Sequence, residues 1–280
     1  QLSNSWLSQA RTFHAIVSVV LAVVALVASV FHLGRPQYAF RAILGFRTSW
    51  LSREIVAFGA FVKLALLYAG LLVVQSKGLL PAPMTAIASQ ALPFVGGSLV
   101  AVGCIGVFCS AMVYGVTNRR WWAVGRSSFR FFASATVLGL ATSLLTLVWA
   151  HAGGVADREA ARVVSVLSWA LALASSSKLL WELSVLTHLR DKRLSEIKRT
   201  ALLMTGPLLK QSLGRLGLGL IGGVLLPSLV VSLMALGMVT TPIIVLTSVL
   251  WVLVLAAELG ERSLFFSAVS VPRMPGAVGS

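Results

Sequence analysis

The sequence predicts an all-α polytopic membrane protein with seven transmembrane helices. Hydrophobic residues make up 58% of the 280 residues and charged residues only 11%, which leaves too little polar surface to cover a soluble globule. Seven windows of about 20 apolar residues follow one another along the chain, and each is long enough to cross a hydrocarbon core of about 30 Å. These windows lack period-2 alternation, so helices are favoured over a β-barrel.

The apolar windows define the expected elements in chain order. The stretch LLPAPMTAIASQALP at residues 79–93 is too short and too rich in proline to span, so we expect a loop or an interfacial turn there. Glycines in the third and sixth windows permit close packing of helices in lipid. We expect residues 1–280 to form a single membrane domain. The predicted spans are residues 12–33, 54–75, 92–115, 129–150, 162–187, 214–237 and 239–259.

The basic residues are distributed unevenly between the two sides that seven spans create. Of 23 lysines and arginines, four lie on the side of the N-terminus and 17 on the opposite side, while two lie within spans. The positive-inside rule makes the richer side cytoplasmic. The excess is explained either by topology and attraction to anionic lipids or by docking of an acidic partner subunit, and bases spread over short loops argue against nucleic acid. The candidate docking residues are Arg41, Arg47, Arg119, Arg120 and Arg126.

Two ionisable side chains border the first two spans on the predicted cytoplasmic side. His32 closes the first span and Glu54 opens the second. Each has a structural explanation, since an interfacial histidine can bond a carbonyl group and the helix dipole favours a carboxylate near a helix N-terminus. Together they could form a proton-handling pocket, with Arg35 and Arg53 available to tune the carboxylate.

Further charges lie inside the spans. Lys178 and Glu182 are four residues apart on one helix face, and Glu258 and Arg262 repeat that spacing. Pairs of this kind most often stabilise a helix bundle. Lys63 could extend to the membrane surface or meet a carboxylate from another helix. A secondary transporter would also carry buried charges, but it should show inverted repeats and broken spans, which the sequence does not display.

The four histidines allow a haem hypothesis. A bis-histidine haem needs two imidazoles at one depth on different helices. His14 and His151 lie near the N-terminal side, and His32 and His188 lie near the other side. Two haem-binding pairs are therefore formally possible. Cys104 and Cys109 are five residues apart within one span, a spacing typical of neither a redox pair nor a metal site.

Five stretches carry a resemblance to a known family. They are FHLGRP, RTSWLSREI, MVYGVTNRRWW, FRFFASATVLG and AAELGERSLFF, and they extend over nearly the whole chain. They resemble the membrane anchor subunits of dimethyl-sulfoxide-reductase-type molybdenum complexes, the DmsC-like proteins, and the spacing of 22 residues from His32 to Glu54 is fairly specific. The resemblance implies an eight-helix protein without haem, so we expect neither histidine pair to bind haem and the family's first helix to be absent from this sequence.

The resemblance also implies partners and a mechanism. Such anchors hold an iron-sulfur subunit with [4Fe-4S] clusters and a catalytic subunit with molybdopterin, and they exchange electrons with menaquinone or ubiquinone. The family's quinone-linked residues match His32, expected to bond a quinone carbonyl, and Glu54, expected to relay protons. Glu258 and Arg262 match a motif of unknown role, and no metal site is expected in this chain. The expected local supports of the quinone site are Arg35, Tyr38 and Arg53.

The wording of the first two motifs indicates a substrate. HLGRP followed by RTSWLSRE resembles the anchors of sulfite:quinone oxidoreductases, whose catalytic subunits lie in the cytoplasm. The charge distribution places the His32 side in the cytoplasm as well. We therefore expect an inner-membrane anchor in a sulfite-oxidising complex. A dimethyl sulfoxide or related reductase using quinol is the alternative, and a secondary transporter or a purely structural anchor are alternatives from other classes.

Overall fold

The computed structural model describes residues 2–31, 41, 44–151, 158–235 and 240–270. Within these ranges the chain is almost entirely helical and has no β-strand. A π-helical turn at Ile221–Leu225 joins α7 to α8, and short 3₁₀ turns lie at Arg120–Trp122 and Ser184–Arg190. The helices are α1 (Leu2–Phe31), α2 (Trp50–Ser76), α3 (Ala82–Gly115), α4 (Val124–His151), α5 (Arg158–Leu183), α6 (Glu196–Thr205), α7 (Leu209–Leu220), α8 (Leu226–Ala235) and α9 (Thr240–Ser267).

In the part of the chain that the structure describes, seven helical stretches are long and apolar enough to cross a membrane. Helices α1 to α5 and α9 supply six of them, and α7 continues through the π-helical turn into α8 to form the other. The predicted seven-span, all-α class is therefore confirmed, and the chain is a multi-pass membrane protein. Helix α6 is shorter than a span and strongly amphipathic, which is typical of a helix at the membrane surface.

The prediction of a loop or interfacial turn at residues 79–93 is wrong. Helix α3 begins at Ala82 and continues through Pro93. A proline inside a helix removes one backbone hydrogen bond, but in membrane helices neighbouring groups can compensate for it. The first turns of α3 are also tied to α2, because the side-chain amide of Gln75 donates a hydrogen bond to the Ser89 hydroxyl at 2.9 Å.

The chain divides into two compact units. Unit 1 comprises residues 1–113 and 142–164, and unit 2 comprises residues 114–141 and 165–280. In unit 1, α2 and α3 approach closely at Gly106, where an added Cβ atom would lie 2.9 Å from the Phe58 ring. This contact agrees with the predicted role of glycine in close helix packing. The single-domain organisation stays a prediction.

Unit 2 contains a still closer approach at the π-helical turn. A Cβ atom added to Gly222 would lie 2.7 Å from Cβ of Leu253 and 3.1 Å from the backbone nitrogen of Val254, both on α9. A Cβ atom on Gly223 would lie 2.6 Å from the Ser175 hydroxyl on α5. The turn therefore brings its backbone against two neighbouring helices, and only glycine fits there.

We expect replacement of Gly222 by valine to destabilise the chain by about 1–3 kcal/mol, because overpacking against a helix backbone forces that helix to move. Gly217→Val is the matched control, since an added Cβ atom at Gly217 meets no other atom within 4 Å. Thermal unfolding of the purified chain in detergent measures both effects. Equal unfolding temperatures for the two variants would show that the close approach does not stabilise the fold.

Candidate functional site

Glu54 lies near the start of α2, directly after the turn at residues 44–49. The Ser49 side chain caps the helix by accepting a hydrogen bond from the backbone nitrogen of Ser52 at 3.4 Å. The Glu54 carboxylate is half-buried and accepts a hydrogen bond from the Ser110 hydroxyl on α3, with 2.5 Å between Oγ and Oε1. Hydrogen bonds to a charged acceptor are stronger than neutral ones. The contact therefore fixes the carboxyl group between α2 and α3.

Arg53 stabilises the turn that precedes α2. Its Nε donates to the carbonyl group of Phe46 at 3.0 Å, and its Nη2 donates to that of Arg47 at 2.8 Å. The guanidinium also lies 4.3 Å from the ring centroid of Trp50, whose ring meets Phe108 of α3 edge-on at 6.0 Å. Arg53 is thus engaged with backbone carbonyl groups and an aromatic ring. This arrangement orders the chain next to the candidate carboxylate.

The other half of the predicted quinone site cannot be placed. His32, Arg35 and Tyr38 lie outside the residues that the structure describes. The expected proximity of His32 to Glu54 therefore stays a prediction. What the structure contributes to this site is the carboxylate, its serine partner and the ordered turn beside it.

Three of the sequence motifs meet in unit 2. Tyr114 of MVYGVTNRRWW contacts Phe131 of FRFFASATVLG and Phe265 of AAELGERSLFF, with ring centroids 5.9 and 5.1 Å away. The indole nitrogens of Trp121 and Trp122 both donate to the carbonyl group of Phe265, at 3.1 and 2.9 Å. These motif residues therefore pack together at the ends of α3, α4 and α9.

Two arginines border this aromatic cluster. Arg130 lies with its guanidinium carbon 3.9 Å from the ring centroid of Trp121, and its Nε lies 3.1 Å from a carboxylate oxygen of Glu261. Arg262 lies 3.9 Å from the ring centroid of Phe131. Cation–π contacts of this kind stabilise most where water is excluded. The cluster thus holds two positive charges close to α9.

A second set of ionic contacts lies next to the first. Lys178 contacts Glu258 and lies 3.8 Å from Glu182, so the predicted pairing of Lys178 with Glu182 is confirmed. Arg215 binds Glu182 at 3.0 Å and Glu258 at 3.2 Å. The predicted pair of Glu258 with Arg262 is wrong, because Glu258 turns toward α5 and α7 instead. All four paired side chains are buried.

Two arginines that the charge distribution places on the cytoplasmic surface are buried in the bundle. Arg130 is 2% exposed and Arg215 is 4% exposed. They belong to ion pairs with Glu261 and with Glu182, which sequence reasoning missed. A sequence fixes the position of a residue along a helix but not its rotation toward a neighbour. The available signal was the presence of carboxylates within other apolar windows, since charges inside a membrane protein usually pair.

The five arginines of the predicted docking surface, by contrast, are exposed or half-buried. Arg41, Arg47 and Arg120 are exposed, and Arg126 is half-buried. Arg119 lies 4.9 Å from the ring centroid of Trp122. Arg119 and Arg120 lie in the short connection between α3 and α4, and Arg126 lies in the first turn of α4, so all three arginines belong to unit 2.

An open depression of about 380 Å³ lies beside this connection. Its lining includes Arg120, Arg126 and His188, together with Asp191. Three groups that carry or can acquire positive charge thus face one depression that also contains one carboxylate. The depression is a candidate contact for an acidic surface of a partner.

Two of the histidines considered for haem binding, His14 and His188, have hydrogen-bonding neighbours in the structure. In His14, Nδ1 lies 2.9 Å from the Thr146 hydroxyl and Nε2 lies 3.5 Å from the Ser18 hydroxyl, so both ring nitrogens already have polar neighbours. Nδ1 of His188 lies 3.2 Å from the Thr187 hydroxyl. Within the described ranges, no group of three His, Cys, Asp or Glu side chains could hold a metal ion. The expectation that this chain binds no haem stays a prediction.

These features define a class: a multi-pass membrane protein that has internal ion pairs and accessible arginines around the α3–α4 connection. Comparison with protein families makes the identification specific. The family described as DMSO reductase anchor subunit (DmsC) matches residues 8–268, and the chain belongs to this family. The resemblance found in the sequence motifs is therefore confirmed.

A curated relative is a subunit of the sulfite dehydrogenase of Allochromatium vinosum. It is 33% identical to this chain over 144 residues, which make up 49% of this chain and 44% of the relative. The chain thus matches less than half the length of that protein. No solved structure matches the chain.

Proposed function

We propose that this chain anchors a molybdopterin oxidoreductase complex to the inner membrane and connects it to the quinone pool. Membership of the anchor family and the resemblance to a sulfite dehydrogenase subunit support this proposal. The single observation that carries the quinone part is the half-buried carboxylate of Glu54, which accepts a hydrogen bond from Ser110. A carboxylate inside a membrane span is costly unless it has a function or a partner charge.

Quinone chemistry gives this carboxylate a role. Reduction of a quinone to a quinol takes up two electrons and two protons, and a positioned carboxyl group can transfer one of these protons. The hydrogen bond from Ser110 fixes Glu54, and Arg53 orders the adjacent turn. We propose Glu54 as the proton relay and His32 as the hydrogen-bond partner of a quinone carbonyl group, with Arg35, Tyr38 and Arg53 as supports.

We propose that the complex oxidises sulfite on the cytoplasmic side. Conversion of sulfite and water to sulfate releases two electrons and two protons, and the two electrons then reduce one quinone. Electrons would pass through the [4Fe-4S] clusters of a partner subunit before they reach the quinone. The resemblance to a sulfite dehydrogenase subunit favours this substrate over dimethyl sulfoxide.

The accessible arginines provide the proposed docking surface for the iron-sulfur subunit. Arg119 and Arg120 in the α3–α4 connection and Arg126 in the first turn of α4 belong to unit 2, and Arg41 and Arg47 precede α2 in unit 1. Complementary charge steers association and sets the orientation of docked partners. An acidic surface on the partner would meet these arginines.

Purification of the tagged chain from its native membrane tests the proposal. We expect an iron-sulfur subunit and a molybdenum-containing subunit to co-purify, as shown by mass spectrometry and metal analysis. The double variant Arg119→Glu/Arg120→Glu is expected to reduce their recovery about tenfold or more, because like charges would then face each other. Lys77→Glu is the matched control, since Lys77 is an exposed basic residue at the C-terminal end of α2 and is not one of the proposed docking residues.

Two results of this experiment would contradict the proposal. Purification of a well-folded chain with partners that contain neither molybdenum nor iron-sulfur clusters would contradict the assignment of the complex. Equal recovery of the partners with the double variant and with Lys77→Glu would contradict the assignment of the docking surface.

A further inference from the structure

A cavity of about 90 Å³ lies within unit 2, whereas the proposed quinone residues belong to unit 1. Leucines form much of its wall, but four charged side chains also reach it. One water molecule needs about 10–15 Å³ of free space, so the cavity can hold several. The charged lining residues are Arg130, Glu182, Arg215 and Glu261.

Several polar atoms of this lining have no hydrogen-bond partner among the described residues. They are Nη1 of Arg130, Nε of Arg215, the Ser212 hydroxyl and both carboxylate oxygens of Glu261. These four residues are between 1% and 6% exposed. Leaving buried polar or charged groups without partners costs several kcal/mol in an apolar interior. Water molecules held in the cavity would supply the missing hydrogen bonds.

The three carboxylates of the ion network differ in how well their charge is compensated. Glu258 contacts both Lys178 and Arg215. Glu182 accepts a hydrogen bond from Arg215 at 3.0 Å. Glu261 faces Arg130 alone, with 3.1 Å between Nε and Oε1, and it accepts no hydrogen bond within the described part of the chain.

Glu261 is therefore the carboxylate of this network with the fewest ionic contacts among the described residues. It is also 1% exposed, so bulk water does not compensate for the missing hydrogen bonds. A bound proton would neutralise the charge of Glu261, and a water molecule in the cavity would donate the missing hydrogen bonds. Both are available only if the cavity communicates with the aqueous side.

Two residues of the cavity wall also lie at the surface of unit 2. Thr205 and Leu209 line the cavity and are themselves exposed on either side of the α6–α7 turn. Helix α6 is the amphipathic helix that is typical of the membrane surface. An opening beneath this turn would let water and protons reach the cavity without crossing the apolar interior.

We propose that this cavity is a hydrated proton-binding site in which water links Glu261 to Glu182 and Glu261 takes up the proton. Water brings the proton from the aqueous side to a Glu261 oxygen, where an O–H bond forms. Arg130, Lys178 and Arg215 balance the three carboxylates before uptake, so the network then carries one net positive charge.

The groups that surround Glu261 come from three helices besides its own. Helix α4 contributes two arginines, α5 a lysine and a glutamate, α7 an arginine, and α9 a glutamate and an arginine. Arg130 is the nearest of them, with 3.1 Å between its Nε and a Glu261 oxygen. The lysine, the arginine of α7 and the two other glutamates pair with one another, and Arg262 lies over the Phe131 ring. These groups are Arg126, Arg130, Lys178, Glu182, Arg215, Glu258 and Arg262.

Infrared difference spectroscopy of the full chain in lipid nanodiscs tests this site. Lowering the pH is expected to produce the carbonyl band of a protonated carboxyl group, and D₂O is expected to shift that band because the cavity exchanges with solvent. Glu261→Gln should remove the band. Glu54→Gln should leave it unchanged, which separates this proposal from the proposed quinone site.

A second variant keeps the test decisive if Glu261→Gln leaves Arg130 unpaired and unfolds the chain. Arg130→Gln/Glu261→Gln removes both charges together and should also lose the band while keeping the helical circular dichroism. A band that persists in the double variant would overturn the proposal. A band that is unaffected by D₂O, or the absence of any such band in the unmodified chain, would overturn it as well.

Discussion

Replacement of Arg215 by leucine is expected to lower the stability of the chain by about 3–5 kcal/mol, the usual effect of removing one partner from a buried ion pair. Arg215 is 4% exposed and binds Glu182 at 3.0 Å and Glu258 at 3.2 Å. Its removal leaves Glu182 with Lys178 at 3.8 Å as the nearest cation. Thermal unfolding in detergent, followed by tryptophan fluorescence, measures the loss.

Two comparisons show whether charge burial causes the loss. Arg120→Leu removes an exposed arginine and is expected to change stability by no more than about 0.5 kcal/mol. Arg215→Leu/Glu182→Leu should recover part of the loss, because Lys178 still pairs with Glu258 after both charges are removed. The account fails if Arg215→Leu unfolds at the same temperature as Arg120→Leu.

The spans were predictable because the length and polarity of a segment are properties of the local sequence. All seven predicted spans correspond to long apolar helices of the structure. Their ends were less predictable. Residues 79–93 contain three prolines and were interpreted as a loop or turn, yet α3 continues through Pro93. Composition alone did not indicate that Gln75 and Ser89 would join α2 and α3 at this point.

The π-helical turn at Ile221–Leu225 was not predicted either. The sequence indicated a glycine-rich span, but the need for glycine arises from a contact with α9. A Cβ atom on Gly222 would lie 3.1 Å from the backbone nitrogen of Val254 and 2.7 Å from Cβ of Leu253. Such a contact depends on which helices become neighbours, and that is decided by tertiary packing.

The candidate site was predicted only in part. Glu54 is a candidate from the sequence because it borders a span on the same side as His32 and matches a family motif, and the structure adds its hydrogen bond with Ser110. A serine within an apolar helix carries no signal that identifies its partner. The pairing of Arg130 with Glu261 was missed for the same reason, since the two residues are far apart in the sequence and meet only in the folded unit.

Glu54→Gln is expected to reduce quinone-linked turnover of the assembled complex about 100-fold or more, the usual range for the loss of a positioned proton-transfer group. Glutamine has nearly the same shape and can still bond the Ser110 hydroxyl, so the helix contact is kept. It cannot exchange a proton at neutral pH. Turnover with a water-soluble quinone analogue measures the effect.

Lys63→Gln is the matched control for this substitution. Lys63 lies on the same helix as Glu54 and is exposed, so its replacement also removes one charge from α2. We expect its quinone-linked turnover to equal that of the unmodified complex. Ser110→Ala should give an intermediate loss, because the carboxylate remains but is no longer fixed by the hydroxyl group.

We propose that electrons leave or enter the complex through a quinone that exchanges protons with Glu54. The most direct test compares two rates in the same purified Glu54→Gln complex: sulfite oxidation with a soluble dye as electron acceptor, and sulfite oxidation with a quinone. We predict a dye-linked rate equal to that of the unmodified complex and a quinone-linked rate about 100-fold lower. Equal quinone-linked rates in the variant and the unmodified complex would contradict the account.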